Sequence, residues 1–300
     1  MDRLVAAIDV GGTSIKSALV AEDLHVVHTL RTPTRRVDGA VDVGQIVELI
    51  DQLRAEAGDA TVVGAGVAAP GIIDERLGVA RAAVNLGWRD LPLRQQVADA
   101  AGLPVALGHD VRTGGLAEFT VGAATGVRNG MFMPIGTGIA AAFLVDGHRL
   151  DADGYAGEIG HIVVDPGGAV CGCGTRGCLE TVASAAFIAR RYAERSGKPV
   201  TRAVDVAAAV VAGDPDAVSV WERAIDGLAA ALTTAVTLLA PEVIAIGGGL
   251  SESGDTLLAP LRASLVGRMA FQRMPTLVRA ALGDNAGCIG AGILAWRAAS

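Results

Sequence analysis

The feature that most constrains the fold is a repeated opening. Leu4 to Asp9 and Ile15 to Ala21 read as β-strands on either side of a Gly-Gly-Thr turn, and the pattern returns around Gly136-Thr137. Placing Gly12-Thr13 on Gly136-Thr137 aligns Ile8 with Phe132, Ile15 with Ile139, Ala18 with Ala142, Leu19 with Phe143 and Val20 with Leu144. After the first copy come a strand from His25 to Thr32 and a helix from Val43 closed by Gly58 at its C-cap. A buried strand from Val62 to Ala68, a helix from Pro92 to Ala101, a strand from Val105 to Leu107 and a helical segment from Val111 to Ala123 follow. After the second copy come helices over 183–196, 203–212 and 215–239, the strand Val243 to Ile246, and a Gly/Ala-laced helix over 286–298. Strands and helices mixed in this way predict an α/β protein of two similar lobes with a cleft between them. The first lobe covers 1–118 and is completed by 286–300; the second covers 119–285.

Composition narrows the function. A net charge of −7 and a pI near 5.2 give no electrostatic footprint for a polyanion, which excludes nucleic acid as a partner. No apolar run reaches the roughly 20 residues that span a bilayer, and the first apolar stretch stops at Asp9 without a cleavage pattern. A cytoplasmic protein without membrane contact is expected. Cys171, Cys173 and Cys178 fall within eight residues, and in a cytosolic chain such clustering points to metal rather than disulfides.

Three groups of residues carry chemistry. Asp9-Val10-Gly11-Gly12-Thr13 lies at a strand end, where turning backbone presents N–H groups to a phosphate, and Lys16 follows. Ile135-Gly136-Thr137-Gly138 repeats the loop without the acid, since Met133 stands where Asp9 would be, and Gly247-Gly248-Gly249 is a third glycine cluster after a buried strand. Only the first loop therefore holds the metal side of a nucleotide. Asp110 follows a strand and opens a helix, which suits an N-cap and equally a carboxylate that takes a proton from an attacking hydroxyl. Finally, Gly157-Glu158-Ile159-Gly160-His161 precedes Cys171-Gly172-Cys173-Gly174-Thr175-Arg176-Gly177-Cys178-Leu179-Glu180. Three thiolates and one imidazole close a tetrahedral zinc site with no open position, so the zinc is structural. Such a knot holds the flanking Glu158 and Glu180 rigidly enough to read sugar hydroxyls.

At these residues the chain resembles the ROK family of sugar kinases and sugar-responsive repressors, of the glucokinase and N-acetylhexosamine kinase type, within the actin-like (RNase H-like) ATPase superfamily. The resemblance runs through D-V-G-G-T at Asp9, the A-P-G turn at Pro70-Gly71, N-L-G-W at Asn85, Asp110, I-G-T-G at Ile135, G-E-I-G-H at Gly157, the cysteine block and I-G-G-G at Ile246. It implies ATP-dependent phosphorylation of the 6-hydroxyl of glucose or N-acetylglucosamine with Asp110 as base; N-acetylmannosamine is the alternative acceptor. Sugar contacts are implied for Gly71, Asn85, His109, Asp110, Glu158, His161 and Glu180, and zinc ligation for His161, Cys171, Cys173 and Cys178. ATP phosphates are implied to lie against Gly11, Gly12, Thr13, Lys16, Gly136, Thr137 and Gly138, with Mg²⁺ near Asp9 and the nucleoside near Gly247, Gly248 and Gly249. A homo-oligomer, taken as a dimer, is expected. A non-catalytic sugar-responsive regulator is the rival, but the Asp9 motif begins too near the first residue for a helix-turn-helix ahead of it. One departure matters: Gly108-His109-Asp110 stands where the family usually has E-N-D, so His109 is expected to face the sugar's 3- and 4-hydroxyl side.

Overall fold

In the computed structural model, which describes residues 2–300, the first repeat is an antiparallel meander of β1 (Arg3–Val10), β2 (Ser14–Val20) and β3 (Val26–Pro33). Every second residue of β3 is exposed, the alternation of an edge strand with one solvated face, whereas β1 is buried almost throughout. A short hairpin, β4 (Arg36–Val37) and β5 (Ala40–Val41), leads to α1 (Val43–Glu56). Next, β6 (Thr61–Ala69) runs parallel to β1, and a small ribbon of β7 (Ile72–Asp74), β8 (Val79–Ala83) and β9 (Trp88–Leu91) precedes α2 (Leu93–Ala101). The strand β10 (Val105–His109) pairs parallel to β6 and runs directly into α3 (Asp110–Thr120).

The second repeat builds β11 (Gly130–Pro134), β12 (Ala142–Val145) and β13 (His148–Arg149). Helices α4 (Glu180–Ala183), α5 (Ala185–Ser196), α6 (Ala203–Val211) and α7 (Pro215–Leu239) follow. They are succeeded by β14 (Val243–Gly247), α8 (Asp255–Val266), β15 (Thr276–Arg279) and α9 (Ala286–Ala299). The sheet orders are β10-β6-β1-β2-β3 and β13-β12-β11-β14-β15. In each, the two strand pairings on one side of the central strand are antiparallel and the two on the other side are parallel, so the repeat extends from the hairpin to the whole sheet.

The chain divides into two compact units, Met1–Ala117 with Asp151–Ala156 and Asp284–Ser300, and Glu118–Leu150 with Gly157–Gly283. In the first, Ile46, Ile50 and Leu53 of α1 and Val97 of α2 join one apolar core with β1 and β6. Ala291 and Ala295 of α9 form a separate small cluster with Val5, Ala7, Ala18, Val20 and Ala68 on the sheet. Glycine makes that second contact possible, because a Cβ at Gly66 would stand 1.9 Å from the Ala291 carbonyl oxygen. In the second unit one core gathers Met131, Ile244, Ile246 and Leu277 from the sheet with Leu228 and Leu232 of α7 and Leu261 of α8. Asp214 caps α7 by accepting N–H groups of Asp216 and Ala217, and Pro215 opens it. Among the described residues no helix is long and apolar enough to cross a membrane.

Several sequence expectations are corrected here. The α1 C-cap is Ala57, with Gly58 one position further at φ +59°. The helix over 183–196 is broken at Ser184, whose hydroxyl accepts the Phe187 N–H and caps α5. The helix opened by Asp110 stops at Thr120. Residues 151–156, placed above in the second lobe, pack within the first unit, where Gly154 lies against Ile73. The two hairpins also differ in register: Val10 pairs with Ile15, but Ile135 bridges Ile139, so the second turn is centred on Thr137 rather than on a Gly-Thr pair.

Candidate active site

In the first unit Asp9 ends β1 and faces the start of α9. A Cβ at Gly287 would lie 2.5 Å from Asp9 Oδ2, so only glycine at that helix start leaves room for the carboxylate. Burial, reinforced by the nearby Asp110 charge, pushes the Asp9 carboxyl up to about 6, against the pull of Lys16. Lys16 is the cross-strand partner of Asp9 and reaches Asp284 at 3.3 Å, an acid that Arg31 also holds at 2.8 Å. The Gly11-Gly12-Thr13 turn is closed by Gly11 N–H donating to Ser14 O, while Thr34 Oγ1 donates to Gly11 O. Arg36 donates to the carbonyls of Gly12, Gly39 and Asn85, which brings Asn85 beside the phosphate-loop candidate. Gly71, at φ +106°, turns the chain from β6 into the ribbon.

Asp110 begins α3 instead of capping it. Its Oδ1 accepts the Val111 N–H at 2.7 Å, and the cap falls to His109, whose Nδ1 accepts the Arg112 N–H at 3.4 Å. The same ring places Nε2 3.3 Å from Asp110 Oδ1. The His109 side chain is only 7% exposed. Burial raises the Asp110 carboxyl above the usual carboxylate range, while the Val111 N–H and the Arg112 charge oppose it.

Behind the pair lies a side chain without a sequence signal. Arg112 is fully buried, donates to Glu75 Oε1 at 3.0 Å, and reaches the carbonyls of Ile73, Gly154 and Ala156. Glu75 Oε1 also accepts the His109 N–H at 3.2 Å. Removing one member of a buried ion pair strands the other, so Arg112→Met should lower unfolding free energy by about 3 to 5 kcal/mol. Urea denaturation checks this, and a loss below about 1 kcal/mol, the scale of a surface pair, would show that the clamp is not structural.

In the second unit the glycine loops and the acid candidates come together. Ile135 N–H donates to Gly247 O, Leu250 N–H to Ile135 O, and Ala185 N–H to Gly136 O. Gly136, Thr137, Ala185, Arg202, Gly249 and Glu252 are among the residues lining a cavity of about 320 Å³, so two motifs distant in sequence share one hollow. Glu180 opens α4 and accepts the Ile139 N–H at 3.2 Å, and Gly138 has room for that carboxylate only because it lacks a Cβ.

His161, Cys171, Cys173 and Cys178 bring one donor atom each to within 4.8 Å of one another. The spacing fits zinc. Tetrahedral bonds of about 2.3 Å to sulfur and 2.05 Å to nitrogen require edges of about 3.8 Å between sulfurs and about 3.6 Å between sulfur and nitrogen. Cys173 Sγ lies 3.7 Å from Cys178 Sγ, and Cys171 Sγ lies 3.6 Å from His161 Nδ1. The other ring nitrogen, Nε2, is 3.8 Å from Glu158 Oε2, so the imidazole can ligate through Nδ1 and still orient a carboxylate. Backbone and side-chain bonds from Thr175 draw the Cys173 thiol down to about 6, whereas burial pushes Cys178 up to about 12.

The family model described as ROK family matches residues 5–298. A glucokinase of Halalkalibacterium halodurans is 37% identical over 98% of this chain and 95% of its own. An N-acetyl-D-glucosamine kinase of Aliivibrio salmonicida is 30% identical over 95% of this chain and 97% of its own. Among solved structures, a ROK family glucokinase from Streptomyces griseus in complex with glucose and AMPPNP superposes with a TM-score of 0.83 at 28% identity, covering 98% of this chain and 99% of that one. The shared architecture is the actin-like α/β fold.

Proposed function

Because the chain belongs to the ROK family, we propose that it is an ATP-dependent hexose kinase that phosphorylates the 6-hydroxyl of glucose or N-acetylglucosamine, with Asp110 as the base. The observation that carries this reading is the place of Asp110: a carboxylate directly after β10, its Oδ1 accepting the Val111 N–H and lying 3.3 Å from His109 Nε2. Similarity to kinases of both sugars supports both acceptors.

Asp110 takes the proton of the 6-hydroxyl as the new O6–P bond forms and the bond from the γ-phosphorus to the bridging oxygen breaks, leaving ADP; the proton then passes to solvent. Gly11, Gly12, Thr13 and Lys16 on one loop and Gly136, Thr137 and Gly138 on the other receive the phosphates, and the hollow lined by Gly249 receives the nucleoside. Asp9 would hold Mg²⁺, which when bound would neutralise charge on the transferring group. Without metal, burial raises that carboxyl to about 6, so its hold on a cation should weaken as the pH falls through that value. Gly71, Asn85, Glu158, His161 and Glu180 contact the sugar, and the cysteine block binds a structural zinc. The protein works as a homodimer.

A coupled assay of ADP release across glucose, mannose, N-acetylglucosamine and N-acetylmannosamine tests the reading. Turnover is expected with glucose and N-acetylglucosamine. Sugar binding by calorimetry without ADP release from any of the four would identify a regulator instead.

A further inference from the structure

We infer that His109 is a positioning residue for the phosphoryl-transfer base, its ring linking the first turn of α3 to the Asp110 carboxylate. The inference rests on the reading of Asp110 as that base. Nδ1 accepts the Arg112 N–H, so in the neutral imidazole the proton resides on Nε2. That nitrogen lies 3.3 Å from Asp110 Oδ1, the oxygen that accepts the Val111 N–H at 2.7 Å. A ring nitrogen packed against the oxygen that the Val111 N–H holds restricts rotation of the carboxylate, so that Oδ2 is the oxygen that meets the hydroxyl. A base free to rotate would spend part of its time misdirected, and a displacement of about 1 Å can cost 10²-fold in rate.

The ring is itself fixed from behind. Glu75 Oε1 accepts both the His109 N–H and the Arg112 Nε–H, and Arg112 is locked by three carbonyls, Ile73, Gly154 and Ala156. Every donor of this support comes from a buried or nearly buried side chain or from backbone, so the base stands on rigid structure.

The two ring nitrogens can be separated by substitution. Asparagine places its carbonyl oxygen where Nδ1 was and keeps the helix cap, but its amide does not extend to Asp110. Glutamine places an N–H where Nε2 was but gives up the cap. His109→Asn should therefore retain the wild-type melting temperature and the KM of the best sugar in the panel while kcat falls about tenfold to a hundredfold. His109→Gln should melt earlier, yet show a kcat several-fold above that of His109→Asn. A residue that only packs would give the reverse order, with activity following stability. An inactive Asp110→Asn beside a His109→Asn with wild-type kcat overturns the inference alone. The same holds if His109→Asn changes only the ratio of kcat/KM for glucose and galactose, which assigns His109 to hydroxyl reading. An Asp110→Asn enzyme that keeps its kcat overturns the base assignment and the inference together.

Discussion

Asp110→Asn is expected to lower kcat by about a hundredfold or more while the sugar still binds, because on the proposed base role the amide keeps the shape and the Val111 hydrogen bond but cannot accept a proton. The loss belongs to kcat rather than to affinity, since the interaction removed is made only as the 6-hydroxyl gives up its proton. Calorimetry of sugar binding beside steady-state kinetics separates the two quantities. Retention of more than about a tenth of wild-type kcat would remove Asp110 from the chemistry, because a positioned base contributes 10²-fold or more.

The second large effect is expected at the zinc ligands. Purified protein should carry one zinc per chain through dialysis, and Cys178→Ser should lose it, because the buried thiol supplies one of only four donors. Sugar KM should then rise about tenfold or more, the scale of losing one hydrogen bond to a charged group. The coupling is geometric: Glu158 lies beside ligand His161, and Glu180 begins α4 two residues after Cys178. Zinc affinity should fall with decreasing pH, since the ligands bind metal only when deprotonated and Cys178 holds its proton up to about 12 without metal. Elemental analysis of wild type and variant, with sugar kinetics on both, checks the prediction; a metal-free variant with normal KM would make the cluster incidental.

Much of this site is legible in sequence because its parts are local. The cysteine block, the Gly-Thr turns and the triple glycine each announce themselves within a few residues. The support around Asp110 is different in kind. Glu75 and Arg112 meet across distant chain positions, and the sequence shows only two ordinary charged residues; burial makes them a pair. Reading Asp110 as the N-cap fails for a related reason, since β10 runs past Leu107 to His109 and carries that residue into the cap position. The ribbon β7 to β9 is obscured because its strands are three to five residues long and broken by charged turns. Helix α8 also goes unread, although Leu257, Leu258, Leu261 and Leu265 recur at helical spacing, because Pro260 interrupts the pattern.

The packing of α9 on the first sheet has a consequence for biosynthesis. The face formed by Val5, Ala7, Ala18, Val20 and Ala68 is synthesised well before α9, the helix that covers it. At about 5 to 20 residues per second, the bare sheet waits on the order of ten seconds or more for its cover. The second unit, whose segments all lie between Glu118 and Gly283, is complete before that helix emerges. The sheet begun before the second unit is therefore covered only after that unit has been synthesised. During that interval an apolar sheet face stands exposed, and a chaperone that holds nascent chains would find its grip there.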